Sequence, residues 1–130
     1  MTQPPDTTRK RSADVLVVDD NPDMVAMLTD LFQQRGWQVR GALGAAETMI
    51  QLETALPDAL VLDIMMPDRS GIEVLEMIRY HPHYTHLPVV CLSAAVLEPP
   101  AMEFIQAFSL GLVSKNELDR LIQILSGILD

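Results

Sequence analysis

Val15-Leu16-Val17-Val18 runs directly into Asp19-Asp20, and Leu60-Val61-Leu62 runs in the same way into Asp63. Short apolar runs with β-branched residues and no polar interruption are typical of strands buried on both faces, as in a parallel sheet covered by helices. The two runs therefore predict parallel strands that each end in a carboxylate.

Two later apolar runs also end in a polar residue. Val89-Val90-Cys91-Leu92 is followed by Ser93, and Leu112-Val113-Ser114 is followed by Lys115. Open parallel sheets carry their ligand sites at the carboxyl ends of the strands, so we expect these side chains to converge with the aspartates. Three carboxylates, a hydroxyl and an ammonium can together hold a divalent cation beside a phosphoryl group.

The rest of the chain alternates between strand and helix patterns after a polar leader, residues 1–12, which we interpret as disordered. Residues 13–130 then form one domain. The predicted strands are Asp14–Val18, Trp37–Leu43, Ala59–Leu62, Val89–Leu92 and Leu110–Val113. The first predicted helix has Asn21 as its N-cap and Pro22 at its first position, and it ends at Gly36. The second and third cover Ala45–Thr54 and Gly71–Tyr80, the fourth follows Pro99-Pro100, and the last begins with Asn116 as its cap.

Alternating β and α elements favour a parallel sheet with right-handed crossovers and helices on both faces. The segment Trp37–Leu43 alternates apolar and polar residues, which is typical of an edge strand. An α/β fold with a doubly wound five-stranded parallel sheet in the order 2-1-3-4-5 fits this best. The switch point of that sheet lies between strands one and three, with Asp19, Asp20 and Asp63 on either side of it.

The acidic cluster is tolerable only if a cation is present, a proton is taken up or a lysine approaches. Two unit charges about 4 Å apart repel by roughly 1 to 4 kcal/mol at effective dielectrics between those of water and a protein surface. Lys115 is an obvious partner, because the only other lysine is Lys10 in the leader. The alternative is that the acidic residues merely cap helices, which fits Asp19 and Asp20 but leaves the other strand-end residues unexplained.

Composition narrows the classes of function. The chain has 130 residues and a formal charge of −9, which disfavours direct binding to nucleic acid. No apolar run approaches the length of a membrane span, so no membrane insertion is expected. Cys91 is the single cysteine and lies in an apolar run, which fits a buried thiol and a cytoplasmic location.

Four motifs, taken in order, resemble the CheY-like receiver domain of two-component response regulators, a flavodoxin-like (βα)5 fold. They are Val-Val-Asp19-Asp20-Asn-Pro, Leu-Val-Leu-Asp63-Ile-Met-Met-Pro67 with Gly71 following, Leu-Ser93-Ala94, and Val-Ser-Lys115. The resemblance extends from Asp14 to Leu129. The order 2-1-3-4-5 is already associated with that family, so it adds no independent support.

The resemblance implies a phosphoprotein that carries an aspartyl phosphate and depends on Mg²⁺. Asp63 corresponds to the phosphoacceptor, which attacks a phosphohistidine on a sensor histidine kinase. Asp19 and Asp20 correspond to the acidic pair that holds Mg²⁺ together with Asp63, and the backbone carbonyl of Met65 corresponds to a further ligand. Lys115 corresponds to the lysine that pairs with phosphoryl oxygens.

Ser93 corresponds to the hydroxyl that moves to bond the phosphoryl group and so reports its presence. The family usually has a tyrosine or phenylalanine three residues before the lysine, where this chain has Leu112. A leucine has less bulk and no hydroxyl, which puts the usual readout in question but not the phosphorylation itself.

Three further positions depart from the family pattern. Asn116 replaces the proline that usually follows the lysine through a cis peptide. A cis bond before a non-proline residue costs about 2.5–4 kcal/mol, so we expect this bond to be either trans or strained. Met65 and Ala95 replace polar residues that often orient the hydrolytic water, which predicts slow self-hydrolysis of the phosphorylated protein.

The predicted fourth helix is apolar on nearly all sides. Such a helix is either buried or docked to something, and part of its surface must be ordinary core. The remainder, with the fifth strand and the last helix, would form a homodimer or partner surface, which is also the face that receivers commonly use. The candidate switch and interface residues are Ala94, Phe104, Phe108 and Leu112.

The sequence therefore predicts a stand-alone signalling switch that acts through a downstream protein effector or a phosphotransfer protein, and that is not otherwise an enzyme. One alternative is a degenerate receiver that serves as a docking module independent of phosphorylation. A second is a phosphatase with Asp63 as nucleophile. Such enzymes usually carry an acid two residues beyond the nucleophile, where this chain has Met65.

Overall fold

The computed structural model describes residues 12–66 and 69–130, so the predicted leader lies outside the described residues except for Ser12. Ten elements alternate along the chain. The strands are β1 (Asp14–Val18), β2 (Gln38–Ala42), β3 (Ala59–Asp63), β4 (Val89–Ser93) and β5 (Leu112–Ser114). The helices are α1 (Pro22–Gln33), α2 (Ala45–Thr54), α3 (Gly71–Tyr80), α4 (Pro99–Phe108) and α5 (Leu118–Leu129).

All strand pairs are parallel, and the sheet order is β2-β1-β3-β4-β5. This confirms the doubly wound α/β fold and the edge position of β2. The register pairs Val18 with Leu62, so Asp19 and Asp63 follow directly at the same end of neighbouring strands. The residues expected to form a site therefore start from one edge of the sheet.

The sheet separates two apolar layers, because successive side chains in a strand point to opposite faces. Leu16 and Leu62 face the layer that contains α2, α3 and α4. Val17 and Val61 face the layer that contains α1 and α5. β3 and β4 are buried at every position, as the uninterrupted apolar runs predicted.

The two helices that follow β4 and β5 are packed to different extents. α5 buries Leu121 and Leu125 and adds several partly buried residues to the same layer. α4 buries only Ile105 among its ten residues, and Phe108 is 42% exposed. Burial among the described residues therefore does not account for the apolar composition of α4.

Two predicted boundaries near the C-terminal end were wrong. β5 begins at Leu112 rather than Leu110, because Gly111 has a φ of +139°, outside the range of an extended strand. The N-cap of α5 is Glu117 rather than Asn116. The N–H of Asn116 instead donates to Ser114 Oγ (3.2 Å), so the chain is still turning where a helix was expected to start.

Two smaller features of the backbone can also be compared with the sequence. No cis peptide occurs among residues 12–66 and 69–130, so the Lys115–Asn116 bond is trans. The C-cap of α1 is Gln34, which places Gly36 one residue beyond its predicted C′ position, with a φ of +85°.

No helix in the described part of the chain is long and apolar enough to cross a membrane.

Trp37 directly precedes β2 and packs at the N-terminal end of that strand. Its side chain is 5% exposed, and its ring centroid lies 5.6 Å from that of Phe32. The indole N–H donates to Asp130 Oδ1 (3.0 Å), and the Arg35 guanidinium lies 5.9 Å from the ring centroid. These contacts join the end of α5 to the turn between α1 and β2.

Candidate functional site

Three aspartates converge at the carboxyl ends of β1 and β3. Asp19, Asp20 and Asp63 each offer a carboxylate oxygen within 4.8 Å of the others. Asp19 and Asp63 are buried, whereas Asp20 is exposed. The predicted meeting of residues that are far apart in sequence is therefore observed.

Local turns orient the two buried carboxylates. Asp19 Oδ1 accepts the N–H of Asn21 (3.0 Å), and Asp63 Oδ1 accepts the N–H of Met65 (3.1 Å). The second oxygen of each carboxylate faces Lys115, whose Nζ lies 2.9 Å from Asp19 Oδ2 and 3.4 Å from Asp63 Oδ2. Both Oδ2 atoms are buried without a well-oriented hydrogen bond from the described residues. Lys115 therefore acts as a shared charge partner.

The electrostatics of the cluster favour an added positive charge. Burial raises the pKa of Asp63 to about 6, the Asp19 charge also raises it, and the Met65 N–H and Lys115 oppose the rise. Burial lowers the pKa of Lys115, but its close ion pairs with Asp19 and Asp63 outweigh burial, so that the pKa is raised. One ammonium faces three carboxylates, so the cluster keeps a negative excess that a divalent cation would reduce.

Gly71 lets α3 pack directly against the backbone of β3. A Cβ at this position would lie 2.3 Å from Asp63 O and 2.7 Å from Ile64 Cα, closer than real atoms approach. The Gly71 N–H donates to Ile64 O (3.0 Å), and Ser70 caps the helix by accepting the N–H of Ile72. The backbone that carries Asp63 is therefore held by a close contact that the sequence motif alone did not reveal.

Ser93 lies at the end of β4, next to the cluster in register, but its hydroxyl bonds elsewhere. Ser93 Oγ–H donates to Ala95 O (2.9 Å), and Oγ accepts the Ala95 N–H (3.1 Å). The side chain is therefore held by the loop between β4 and α4. The sequence indicated only that Ala95 lacks the polar side chain that often orients a hydrolytic water, and it did not predict this contact.

A mostly apolar cavity of about 330 Å³ lies beside Ser93. Its lining includes Ala94, Leu112 and Val96, of which Val96 is 99% exposed. Along α4, Phe104 and Phe108 contact each other with ring centroids 4.7 Å apart. The four candidate switch residues thus fall into two pairs, one at the cavity and one on the helix.

The sequence and the fold both match a known family. The profile described as "Response regulator receiver domain" matches residues 15–126. Protein RcaC of Microchaete diplosiphon is 36% identical over 97 residues, covering 75% of this chain and 14% of RcaC. An uncharacterized 14.6 kDa protein of Leptolyngbya boryana is 38% identical over 85 residues, covering 65% of this chain and 65% of that protein. This chain thus spans less than two thirds of either relative.

Solved structures agree with the profile. The chemotaxis protein CheY4 of Vibrio cholerae superposes with a TM-score of 0.82 at 25% identity, covering 92% of this chain and 100% of that chain. The response regulator TrrA of Thermotoga maritima, solved in complex with Mg²⁺-BeF, gives 0.79 at 26% identity and covers 90% and 99%. This chain belongs to the response regulator receiver domain family, the CheY-like signalling domains of two-component systems.

Proposed function

We propose that this protein is a phosphorylation-dependent signalling switch that accepts a phosphoryl group on Asp63 from a sensor histidine kinase. The observation that carries the proposal is the buried Asp63 carboxylate, which lies within ion-pair distance of Lys115 and beside two further carboxylates. A purely structural role would not explain why three carboxylates and an ammonium lie so close together at the end of the sheet.

The transfer requires a nucleophile and a way to neutralise charge. An Asp63 carboxylate oxygen forms a bond to phosphorus while the bond between phosphorus and the histidine nitrogen of the kinase breaks. The leaving nitrogen keeps the electron pair of that bond and takes up one proton from water, so that the histidine departs as neutral imidazole. Lys115, already 3.4 Å from Asp63, pairs with the phosphoryl oxygens. Asp63 is ionised above its pKa of about 6, so acceptance should be favoured at neutral pH over acidic pH.

The residues present fit Mg²⁺. Asp19, Asp20 and Asp63 would supply carboxylate oxygens, which are the donors that Mg²⁺ prefers. The resemblance to the family implies that the backbone carbonyl of Met65 would be a further ligand. When bound, the ion supplies positive charge that stabilises the phosphoryl oxygens during transfer. The magnesium complex of the Thermotoga maritima neighbour supports the same use here.

The response to phosphorylation begins at Ser93. To reach the phosphoryl group, its hydroxyl gives up the two hydrogen bonds with Ala95, which releases the loop that leads into α4. Leu112 lines the adjacent cavity, at the position where the family usually has an aromatic residue, but it has less bulk and no hydroxyl. The output is a contact with a downstream effector or a phosphotransfer protein, or a homodimer through α4, β5 and α5, where the exposed apolar surface of α4 is available.

Incubation with Mg²⁺ and acetyl phosphate, followed by intact mass, tests the proposal. We expect one added phosphoryl group in the wild type and in the matched control Asp23→Asn, whose exposed carboxylate lies outside the cluster. Asp63→Asn should show none. Labelling of Asp63→Asn, or no labelling of a folded wild type, would contradict phosphorylation at this residue.

A docking module independent of phosphorylation is the second candidate, and the poorly covered α4 favours it. The two candidates differ in one measurement. If a partner that is captured by the phosphorylated wild type binds Asp63→Asn equally well, the docking module is correct. The phosphatase alternative requires turnover of a generic phosphate ester, which we expect to be absent.

A further inference from the structure

A second cavity, of about 490 Å³, lies at the opposite end of β4 from Ser93. Its lining comes from the end of α3, the loop before β4 and the end of α4. Arg79 is its only Lys or Arg, and Phe108 and Leu110 are partly exposed apolar residues in the same lining. None of these residues contributes to the acidic cluster.

Among the described residues, the groups that hold the Arg79 guanidinium are neutral. Its Nε donates to Phe108 O (2.6 Å), and its Nη1 donates to Leu87 O (2.8 Å) and Thr85 O (3.3 Å). These three carbonyls hold the planar group in one orientation but do not cancel its charge, and the hydrogen bond from Arg79 to Phe108 O caps the end of α4.

The positive charge of Arg79 has no anionic partner within residues 12–66 and 69–130. No described carboxylate lies within ion-pair distance of Arg79, and Nη2 makes no hydrogen bond to a described residue. Cys91 lies close enough to interact electrostatically, but burial raises the pKa of this thiol to about 11, so it remains neutral. The chain has a net charge of −9, so a fixed cation without a described anionic partner is uncommon in it. Such a cation at a cavity can pair with an anionic group of a ligand.

We propose that this cavity binds an acidic peptide segment of a partner protein. A carboxylate of the segment pairs with the open edge of Arg79, and a neighbouring apolar side chain packs against Phe108 and Leu110, which are 42% and 51% exposed. The argument for this occupant is complementarity of charge and apolar surface. The guanidinium is already held in place, so little side-chain freedom is lost on binding.

Two short capped peptides provide the probes, Leu-Asp-Leu and its neutral counterpart Leu-Asn-Leu, titrated into the ¹⁵N-labelled full chain. We expect saturable shifts of the amide signals of Thr85, Leu87, Ser109 and Leu110. The aspartate peptide should bind about fivefold more tightly, the upper range for a partly exposed ion pair. Equal affinities, or no saturable shifts at these positions, would overturn the proposal.

A matched pair of variants tests the charge from the protein side. Leu110→Glu places a carboxylate beside Arg79 and should remove the preference for the aspartate peptide. Leu110→Gln introduces a side chain of nearly the same shape as glutamate but without the charge, and it should keep the preference. Leu110 is exposed and lies outside the helices and strands, so both variants should fold. If both variants still bind the aspartate peptide more tightly than the asparagine peptide, or if neither does, Arg79 is not the group that pairs with the peptide carboxylate.

Discussion

The acidic end of the central strands and the flank formed by α4 are held by very different amounts of packing. Asp63 ends a strand that is buried at every position and is paired on both sides. α4 buries Ile105 alone, and the loop before it exposes Val96 almost completely. The reacting groups are therefore preorganised, whereas the surface proposed to carry the signal can shift at low cost.

The largest effect that separates the two regions is expected from Leu62→Ala. Leu62 is fully buried in β3, and truncation of such a residue typically lowers the free energy of unfolding by about 2–5 kcal/mol. Urea denaturation would measure this loss. A loss below about 1 kcal/mol would mean that the central strands are no better packed than the flank.

Removal of the Asp63 charge should stabilise the protein in the absence of Mg²⁺. The pKa of Asp63 is raised to about 6 in the fold from 3.8, so its contribution to stability is complete below about pH 4 and is lost as the pH rises through 6. Asp63→Asn should therefore exceed the wild type in free energy of unfolding by about 1–3 kcal/mol at pH 8. The difference should diminish towards pH 4.

Thermal or urea unfolding at pH 4 and pH 8, with a chelator present, would measure this difference. The control is Glu76→Gln, an exposed carboxylate on α3 that lies outside the acidic cluster. An equal gain in the control, or a pH-independent gain in Asp63→Asn, would show that burial of the Asp63 charge is not the cause.

Mg²⁺ should stabilise the folded protein through the same end of the sheet. At a concentration ten times its dissociation constant, a ligand that binds only the native state adds about 1.4 kcal/mol. Asp20→Asn should reduce this gain, and Asp23→Asn, an exposed aspartate three residues further along, should not. Thermal unfolding with and without Mg²⁺ would compare the three proteins, and an equal gain in all of them would exclude Asp20 as a ligand.

The smallest effect is expected from Phe108→Ala on the flank. Phe108 is 42% exposed and contacts Phe104, so its truncation should lower the free energy of unfolding by less than about 1 kcal/mol. Urea denaturation beside Leu62→Ala gives the comparison directly. A loss as large as that of Leu62→Ala would show that α4 is part of the rigid core.

Sequence patterns predicted the central strands and the convergence of the aspartates because these depend on uninterrupted apolar runs. The sheet order followed from the alternating pattern of the edge strand β2. Contacts between backbone and side chain were not predictable in this way. The hydroxyl of Ser93 bonds to Ala95, and the Ser114 hydroxyl accepts the N–H of Asn116 in the turn before α5. The residue types alone would permit other partners. The close contact of Gly71 with Asp63 also depends on how a helix sits on a strand.

The position of Trp37 determines what tryptophan fluorescence can report for this protein. It is the only tryptophan of the chain and precedes β2, whereas the acidic cluster follows the strands, about 17 Å away along five extended residues. Its indole instead bonds to Asp130, at the end of α5. Emission should therefore follow global unfolding and loss of the contact with Asp130, and should change little when a cation binds.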